Sequence, residues 1–340
     1  MEKISLLGLT VEEIRFLFPG QPRFRAKQIY DWTLKGINNF DQMKNLPDTL
    51  REELTAGFSI YSSEEIDIYE DKSAKKIAVT LKDKTKIEAV LLNDENDRFT
   101  ACLSTQVGCP AGCVFCKTGT LGFKRNLDHK EIAEQFFYLK NISRSIDNIV
   151  IMGMGEPLLN LENLRKAVSF FTDKTGMNFS RRRITVSTCG ICKSLFDIAD
   201  NGPYFRLALS LTTADEILRR KLMPIAKENP LDKIKEALIL FQKKSASRIT
   251  LEIPLLGGIN TREKDAVKTA EFSKGLDTVI NIIPWNPAAG LEFEGKPIIE
   301  PDKKETENFI RMLEEKNLNV TMRHRKGRSI MSACGQLGSV

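Results

Sequence analysis

Asn148-Ile149-Val150-Ile151-Met152-Gly153-Met154-Gly155-Glu156 reads as an apolar strand running into a glycine-rich turn and an acid, and the pattern downstream of it decides the architecture. A helical period covers residues 161–175, and apolar, β-prone runs then return at 183–187, 205–211, 248–256, 278–285 and 319–323. Helix-period stretches at 230–244, 263–274 and 303–316 separate them, and one at 129–141 precedes the first run. Strand and helix alternating in this way, with right-handed crossovers, build a parallel sheet that opens flat or curls toward a barrel. The runs end in Gly155-Glu156, Ser187-Thr188, Thr212-Thr213, Gly257-Gly258-Ile259-Asn260, Asn286-Pro287 and His324-Arg325. Polar and glycine-bearing residues thus recur at the C-terminal strand ends, where α/β folds gather their ligands. The expectation is an α/β fold, a partial (β/α)6 TIM-like barrel whose six loops face one cavity.

Toward the N-terminus, positions 11–18, 25–35 and 47–56 carry apolar residues at helical spacing, punctuated by Pro19-Gly20 and Asn38-Asn39. They predict a helical accessory domain over residues 1–65. Residues 66–100 change to strand alternation: Lys76-Ile-Ala-Val-Thr-Leu81, the turn Lys82-Asp83-Lys84, Lys86-Ile-Glu-Ala-Val-Leu91, and then 99–103. A short antiparallel β meander is expected there, leading into a barrel over 101–340.

Composition narrows the chemistry. The 340 residues carry 51 Lys and Arg against 45 Asp and Glu, a net charge of +6 that permits a nucleic-acid partner without requiring one. Every apolar run falls short of the roughly 20 residues that span a bilayer, and Met1-Glu2-Lys3-Ile4-Ser5 is no secretion signal, so a cytoplasmic protein is expected. Two histidines leave little room for a Ser-His-Asp hydrolase. Seven cysteines, an odd number in such a chain, point to metal or redox work.

Those thiols concentrate in Cys102-Leu-Ser-Thr-Gln-Val-Gly-Cys109-Pro-Ala-Gly-Cys113-Val-Phe-Cys116. Cys109, Cys113 and Cys116, at C-x3-C-x2-C spacing among small residues, can converge from one loop. A cubane cluster has four irons, so three ligands leave one iron open to a substrate. The competing reading is tetrahedral zinc, with Cys102 as the nearby fourth ligand, in a non-catalytic RNA-binding module. The C-x2-C pair Cys189 and Cys192 reads as two semi-buried thiols outside the chemistry, and His129 as a solvated first-turn residue.

C-x3-C-x2-C followed, after the next strand, by Gly155-Glu156 resembles the radical S-adenosylmethionine (SAM) superfamily. Phe24-Arg-Ala-Lys-Gln-Ile-Tyr-Asp-Trp32, Gln106-Val-Gly-Cys109, Gly122-Phe-Lys-Arg-Asn-Leu127, the stretch 153–160, Ile283-Pro-Trp-Asn-Pro287 and Ala333-Cys-Gly-Gln-Leu337 are similar, in the same order, to the RlmN family of radical SAM rRNA methyltransferases. The resemblance spans nearly the whole chain. It implies a radical SAM barrel, an RNA-binding role for the helical domain, and methylation of carbon 2 of an adenine in the peptidyl-transferase region of 23S rRNA and, in bacteria, in tRNA. Carbon 2, flanked by two ring nitrogens, is too electron-poor to attack the SAM methyl directly, which accounts for a radical route. The related Cfr-type activity at carbon 8 is the alternative.

The resemblance also implies roles. Cys109, Cys113 and Cys116 hold a [4Fe-4S] cluster. Cys334 takes a methyl group from one SAM, and a second SAM cleaved at the cluster yields the radical that activates this S-methyl group, making two SAM per turnover. Cys102 resolves the resulting RNA adduct by forming a disulfide with Cys334, while Glu88 takes the proton from carbon 2. SAM contacts carried over are Gly155, Glu156, Ser187, Ser210, Leu211, Thr212 and Asn286; Thr212 stands where the family usually has histidine. An electron donor such as flavodoxin or ferredoxin, a monomeric state and no membrane contact are further expectations. Basic runs at Lys124-Arg125, Arg181-Arg182-Arg183, Arg219-Arg220-Lys221 and Arg323, Arg325, Lys326 and Arg328 are candidates for RNA phosphates.

Overall fold

The structure, a computed structural model, describes residues 3–94, 96–323 and 326–338; the expected strand-end pair His324-Arg325 lies outside them. Its centre is one ten-stranded sheet. In chain order the strands are β1 (Glu65–Glu70), β2 (Ala74–Thr80), β3 (Lys86–Asn93), β4 (Phe99–Cys102), β5 (Asn148–Ile151), β6 (Ile184–Thr188), β7 (Arg206–Ser210), β8 (Ile249–Leu255), β9 (Thr278–Pro284) and β10 (Val320–Met322). Their order in space is their order in sequence. β1 to β4 pair antiparallel, and every pairing from β4 to β10 is parallel.

The switch in direction follows from the connections. Lys82-Asp83-Lys84-Thr85 closes a tight hairpin between β2 and β3, with Leu81 and Thr85 bonded across it, whereas β4 to β5 needs the cluster loop and the helix His129–Asn141 to return parallel. β4 therefore belongs to both halves, and the meander expected at 66–100 is one edge of the barrel sheet. The central parallel strands are apolar on one face, with Leu207 and Leu209 on β7 and Ile249, Leu251, Ile253 and Leu255 on β8, while Ser210 and Glu252 stand on the other face and line a cavity. Helices Leu161–Thr172, Leu231–Ser245, Glu263–Ser273 and Lys303–Glu314 fall where the periodicity places them. Two shorter ones, Cys192–Asn201 and Glu216–Leu222, are not legible as separate periods. The N-terminal helices are Val11–Leu17, Arg23–Thr33 and Asp48–Gly57, and no helix among the described residues is long and apolar enough to cross a membrane.

The helix His129–Asn141 joins the helical segment to the sheet. Asp128 caps its start and shares a capping box with Glu131. Further along, buried Glu134 accepts from the Ser62 and Ser63 backbone N–H groups and from the hydroxyls of Ser63 and Ser5. Burial pushes its carboxyl up to about 7, against the serine hydrogen bonds that pull it down. A carboxyl raised on folding favours the folded state fully below its unfolded value, and that contribution disappears as pH climbs through the folded one. Stability is therefore expected to fall between about pH 5 and about pH 8, and Glu134→Gln to flatten that dependence, as urea titrations across the range will read. An unchanged slope in the variant would refute the assignment.

Candidate active site

The cluster loop is shaped by its stem. Gln106–Gly108 pairs antiparallel with Phe123–Asn126, and the Cys109 N–H donates to the Gly122 carbonyl at 2.9 Å, so the two ends of the loop meet. Gly108 has φ +74, and a Cβ there would stand 1.8 Å from the Gly122 carbonyl oxygen, which leaves glycine as the residue that fits. Within the loop, the Cys116 N–H donates to the Cys113 carbonyl and the Val114 N–H to the Leu222 carbonyl. Cys109, Cys113 and Cys116 end on one cavity, shared with Gly155, Glu156, Ser187, Ser210, Thr212 and Asn286. Burial pushes the Cys109 thiol up to about 12 and the Cys113 and Cys116 thiols up as well, and each is raised further by neighbouring thiols.

Glu156 is 4% exposed and its oxygens are spoken for. Oε1 accepts from the Thr188 hydroxyl at 2.7 Å and the Leu158 N–H at 3.0 Å, and Oε2 from the Cys189 N–H at 2.7 Å. Burial raises its carboxyl while these donors lower it. The loop before it is pinned by Gln106, whose Oε1 accepts from the Glu156 N–H at 2.7 Å. Across the cavity Ser187 and Ser210, on adjacent strands, bond to each other at 3.0 Å. Thr212 has φ +62, an uncommon conformation for a β-branched residue. Its hydroxyl and the Asn286 Oδ1 are buried without a hydrogen-bond partner, an arrangement native proteins keep for a ligand or water to complete.

This donor set fits an iron–sulfur cluster with SAM beside it. Among the described residues, no three histidine, cysteine or carboxylate side chains converge on a single metal ion; the three thiols border a common space instead, as ligands to different irons of one cluster do. The unpartnered hydroxyl and amide oxygen on the same cavity suit the hydroxyls and amines of a nucleoside. One carried-over position does not join them: Leu211 is fully buried in the core and absent from the cavity wall.

A second cavity adjoins the first, lined by Val90, Cys102, Arg323, Lys326, Cys334 and neighbours. Cys334 borders both. It is exposed on a tail held by Lys117 N–H to Gly335 O (2.7 Å), Thr118 Oγ1 to Leu337 O (2.7 Å), Gln336 Nε2 to Pro287 O (2.8 Å) and Asn286 Nδ2 to Cys334 O (3.3 Å). Cys102 is buried, and desolvation pushes its thiol up to about 12. Both thiols are free in this structure. Glu88 borders neither cavity; it is buried on β3 behind the tail, bonded to Lys76 and to the Gly338 N–H.

The basic runs sort differently from their sequence reading. Arg219 is fully buried and donates to the Leu211 and Cys189 carbonyls, so it braces the strand-end loops. Arg220 pairs with Glu216, Lys221 with Glu294, and Arg125 with Asp83 and Glu131. Arg181, Arg182 and Arg183 are exposed. Arg323 lines both cavities, Lys326 bonds to the Asn93 carbonyl and Arg328 to Glu300, while Arg325 lies outside the described residues. Cys189 lines the cluster cavity and Cys192 opens a helix. His129 is half-buried at a helix start.

Comparison with known proteins agrees with this geometry. Residues 103–270 match the Radical SAM superfamily and residues 4–60 the ribosomal RNA large subunit methyltransferase N-terminal domain. The chain is 48% identical over 338 residues, 99% of its length and 96% of the relative's, to the probable dual-specificity RNA methyltransferase RlmN of Treponema denticola. It is 39% identical to the protein of the same name from Thermotoga sp. RQ2, over 98% of this chain and 97% of that one. A crystal structure of a radical SAM methyltransferase from Sphaerobacter thermophilus superposes with a TM-score of 0.92 at 32% identity, covering 99% of this chain and all of that one. Three thiols on one cavity with a Gly-Glu loop, Cys334 on the same wall and Cys102 in the adjoining cavity thus sit in a chain that belongs to the RlmN family of radical SAM RNA methyltransferases.

Proposed function

We propose that this protein methylates carbon 2 of adenine in 23S rRNA and in tRNA through a methylated Cys334. The observation that carries the reading is the position of Cys334: it borders the cavity of the cluster cysteines and also the cavity of Cys102. A methyl carrier must meet the methyl donor and radical source on one side and the substrate and resolving thiol on the other.

Cys109, Cys113 and Cys116 would hold the cluster, with Gly155, Glu156, Ser187, Ser210, Thr212 and Asn286 around SAM. Bound there, the cluster and SAM supply the electron and the hydrogen-abstracting radical. Cys334 accepts a methyl group on sulfur, exposed enough to approach the donor. Once its carbon is joined to adenine and the adduct has given one electron to the oxidised form of the flavodoxin- or ferredoxin-type electron donor, Cys102 attacks the Cys334 sulfur. A disulfide forms, the carbon–sulfur bond breaks toward carbon, and that carbon takes a proton to complete the methyl group. Glu88 accepts the proton from carbon 2. Two SAM are consumed per turnover, with an electron donor such as flavodoxin or ferredoxin. Residues 1–65 are assigned to RNA contact, a role supported by exposed Phe16 and Phe24 and by Lys35 lying 3.8 Å over the Trp32 ring. Arg181, Arg182 and Arg183 are exposed phosphate contacts by the same reading.

The test is methylation of hypomethylated 23S rRNA and tRNA by anaerobically reconstituted protein, with nucleoside mass analysis. The expected product is 2-methyladenosine in both; 8-methyladenosine in its place would overturn the assignment.

A further inference from the structure

Both oxygens of Glu88 are engaged, and by different kinds of partner. Oε1 accepts from the Lys76 ammonium at 2.9 Å and Oε2 from the Gly338 backbone N–H at 2.5 Å. Lys76 is as buried as Glu88, each 2% exposed, and its ammonium also lies 5.1 Å from the Tyr69 ring centroid. The sheet register builds this contact. Ala78 stands opposite Glu88 and Val90 opposite Cys102, so Lys76, Glu88 and Cys102 share one face of β2, β3 and β4. The Glu88 main chain is fixed as well, its N–H directed at the Met154 sulfur and its carbonyl accepting from Ser104 Oγ at 2.6 Å.

Lys76 therefore remains beside Glu88 whenever the sheet is folded. Gly338 belongs to the tail that carries Cys334, and its amide leaves Oε2 when that tail moves. We propose that Lys76 is a positioning residue for proton transfer to Glu88: it holds Oε1 and leaves Oε2 as the oxygen that a nucleobase addresses in place of Gly338. The inference rests on the reading of Glu88 as the base. In the step itself Oε2 takes the proton from adenine carbon 2, the electron pair of that C–H bond returns to the ring, and Lys76 keeps its own protons. Without the Lys76 ammonium, Oε1 would be left buried without its partner and the carboxylate would no longer be held in this orientation. Asp67 and Tyr69 on β1, Lys86 on β3 and Cys102 on β4 stand on the same face; Asp67 and Lys86 pair with each other at the exposed edge.

Lys76→Met, Lys76→Gln, Lys76→Arg and Glu88→Gln are compared in reconstituted full-length enzyme with hypomethylated RNA. Mass spectrometry reads the methyl on Cys334, and denaturing gels read the covalent RNA adduct. All four variants are expected to load Cys334. Lys76→Met and Lys76→Gln should accumulate the adduct as Glu88→Gln does, its resolution slowed by about 10²-fold near neutral pH. Lys76→Arg should resolve the adduct within about tenfold of the native rate, since its cation still reaches Oε1. Native resolution in Lys76→Met while Glu88→Gln traps the adduct overturns this inference alone; native turnover in Glu88→Gln overturns the base assignment beneath it. If Lys76→Met and Lys76→Gln fail to fold, Lys76→Met/Glu88→Gln decides: a recovered melting transition supports charge pairing as the role of Lys76, and a missing one overturns the proposal.

Discussion

Protein carrying Cys334→Ala is expected to transfer no methyl group to RNA, below about 10⁻⁴ of the native rate, because the one other thiol lining both cavities among the described residues, Cys116, is assigned to hold the cluster and is not free to carry a methyl group. Cys102→Ala should fail differently. It should load Cys334, join RNA and stop there, since without a second thiol the carbon–sulfur bond cannot be exchanged for a disulfide. The contrast between no adduct and trapped adduct separates a carrier from a resolving thiol in a way that activity alone does not. Folding is not the cause of either loss. Cys334 is exposed and its truncation should lie within about 0.5 kcal/mol of native stability, while Cys102, a small buried side chain, should cost roughly 1 kcal/mol. Mass spectrometry of the Cys334 peptide and denaturing gels of RNA-bound protein read the two outcomes. Full turnover by either variant, or a trapped adduct in Cys334→Ala, would end the division of labour.

The second failure also explains the burial of Cys102. Cys102 sits under the tail with its thiol pushed up to about 12 by desolvation and by Cys334 nearby, so it is largely a neutral thiol until its surroundings change. An early attack on methylated Cys334 would waste the carrier; a thiol silenced by burial does not make it. Arg323, which lines both cavities beside the two sulfurs, lowers the Cys102 thiol in opposition to that burial.

Much of this arrangement is legible in the chain, and the part that is not has physical reasons. Strand ends carrying polar residues sit where a parallel sheet needs them, so the loops after β5, β6, β7 and β9 fall on the cavity as expected, whereas Gly257, Gly258 and Ile259 after β8 line a different cavity and depart from the expectation of six loops on one. Glu88 misleads in isolation. A glutamate between Ile87 and Ala89 alternates as a solvent-facing residue would, yet it is 2% exposed. Its cation is twelve positions earlier, and only the register set by the β2–β3 hairpin aligns them. Arg219 is the converse case. In an Arg-Arg-Lys run it reads as a charged surface, whereas a helix turns successive residues about 100° apart, so one of the three faces inward to the Leu211 and Cys189 carbonyls. Leu211 lies between Ser210 and Thr212 in sequence and shares neither their exposure to the cavity nor their chemistry, because the chain turns as it leaves β7, with the Leu211 N–H on the Leu209 carbonyl at 2.8 Å and Thr212 at φ +62, and the leucine side chain is buried in the core.

Gly155→Ala is expected to abolish tight SAM binding while leaving the sheet folded. Gly155 has φ +104, where an L side chain is strained, and a Cβ there would lie 2.6 Å from Gln106 Cβ and 2.9 Å from Gln106 N. Neither atom can swing aside. Gln106 is fully buried, and its side chain bonds both to the Glu156 N–H and to Asn126 in the clip that closes the cluster loop. The 153–156 loop must therefore lift away from the clip, carrying the Glu156 carboxylate off the Thr188 hydroxyl and the Cys189 N–H that orient it. Left-handed strain and overpacking together should cost roughly 2–5 kcal/mol, and a displacement of that kind at the Gly-Glu loop should weaken SAM binding by about 10²-fold. Gly258→Ala is the matched control. Gly258 also has positive φ, at +68, but an added Cβ meets nothing within 4 Å, so that variant should carry the conformational strain alone and bind SAM normally. Equilibrium dialysis of SAM against anaerobically reconstituted protein, beside urea melts, distinguishes the two; equal SAM affinity in both variants would mean that the Gln106 contact does not hold the loop against its ligand.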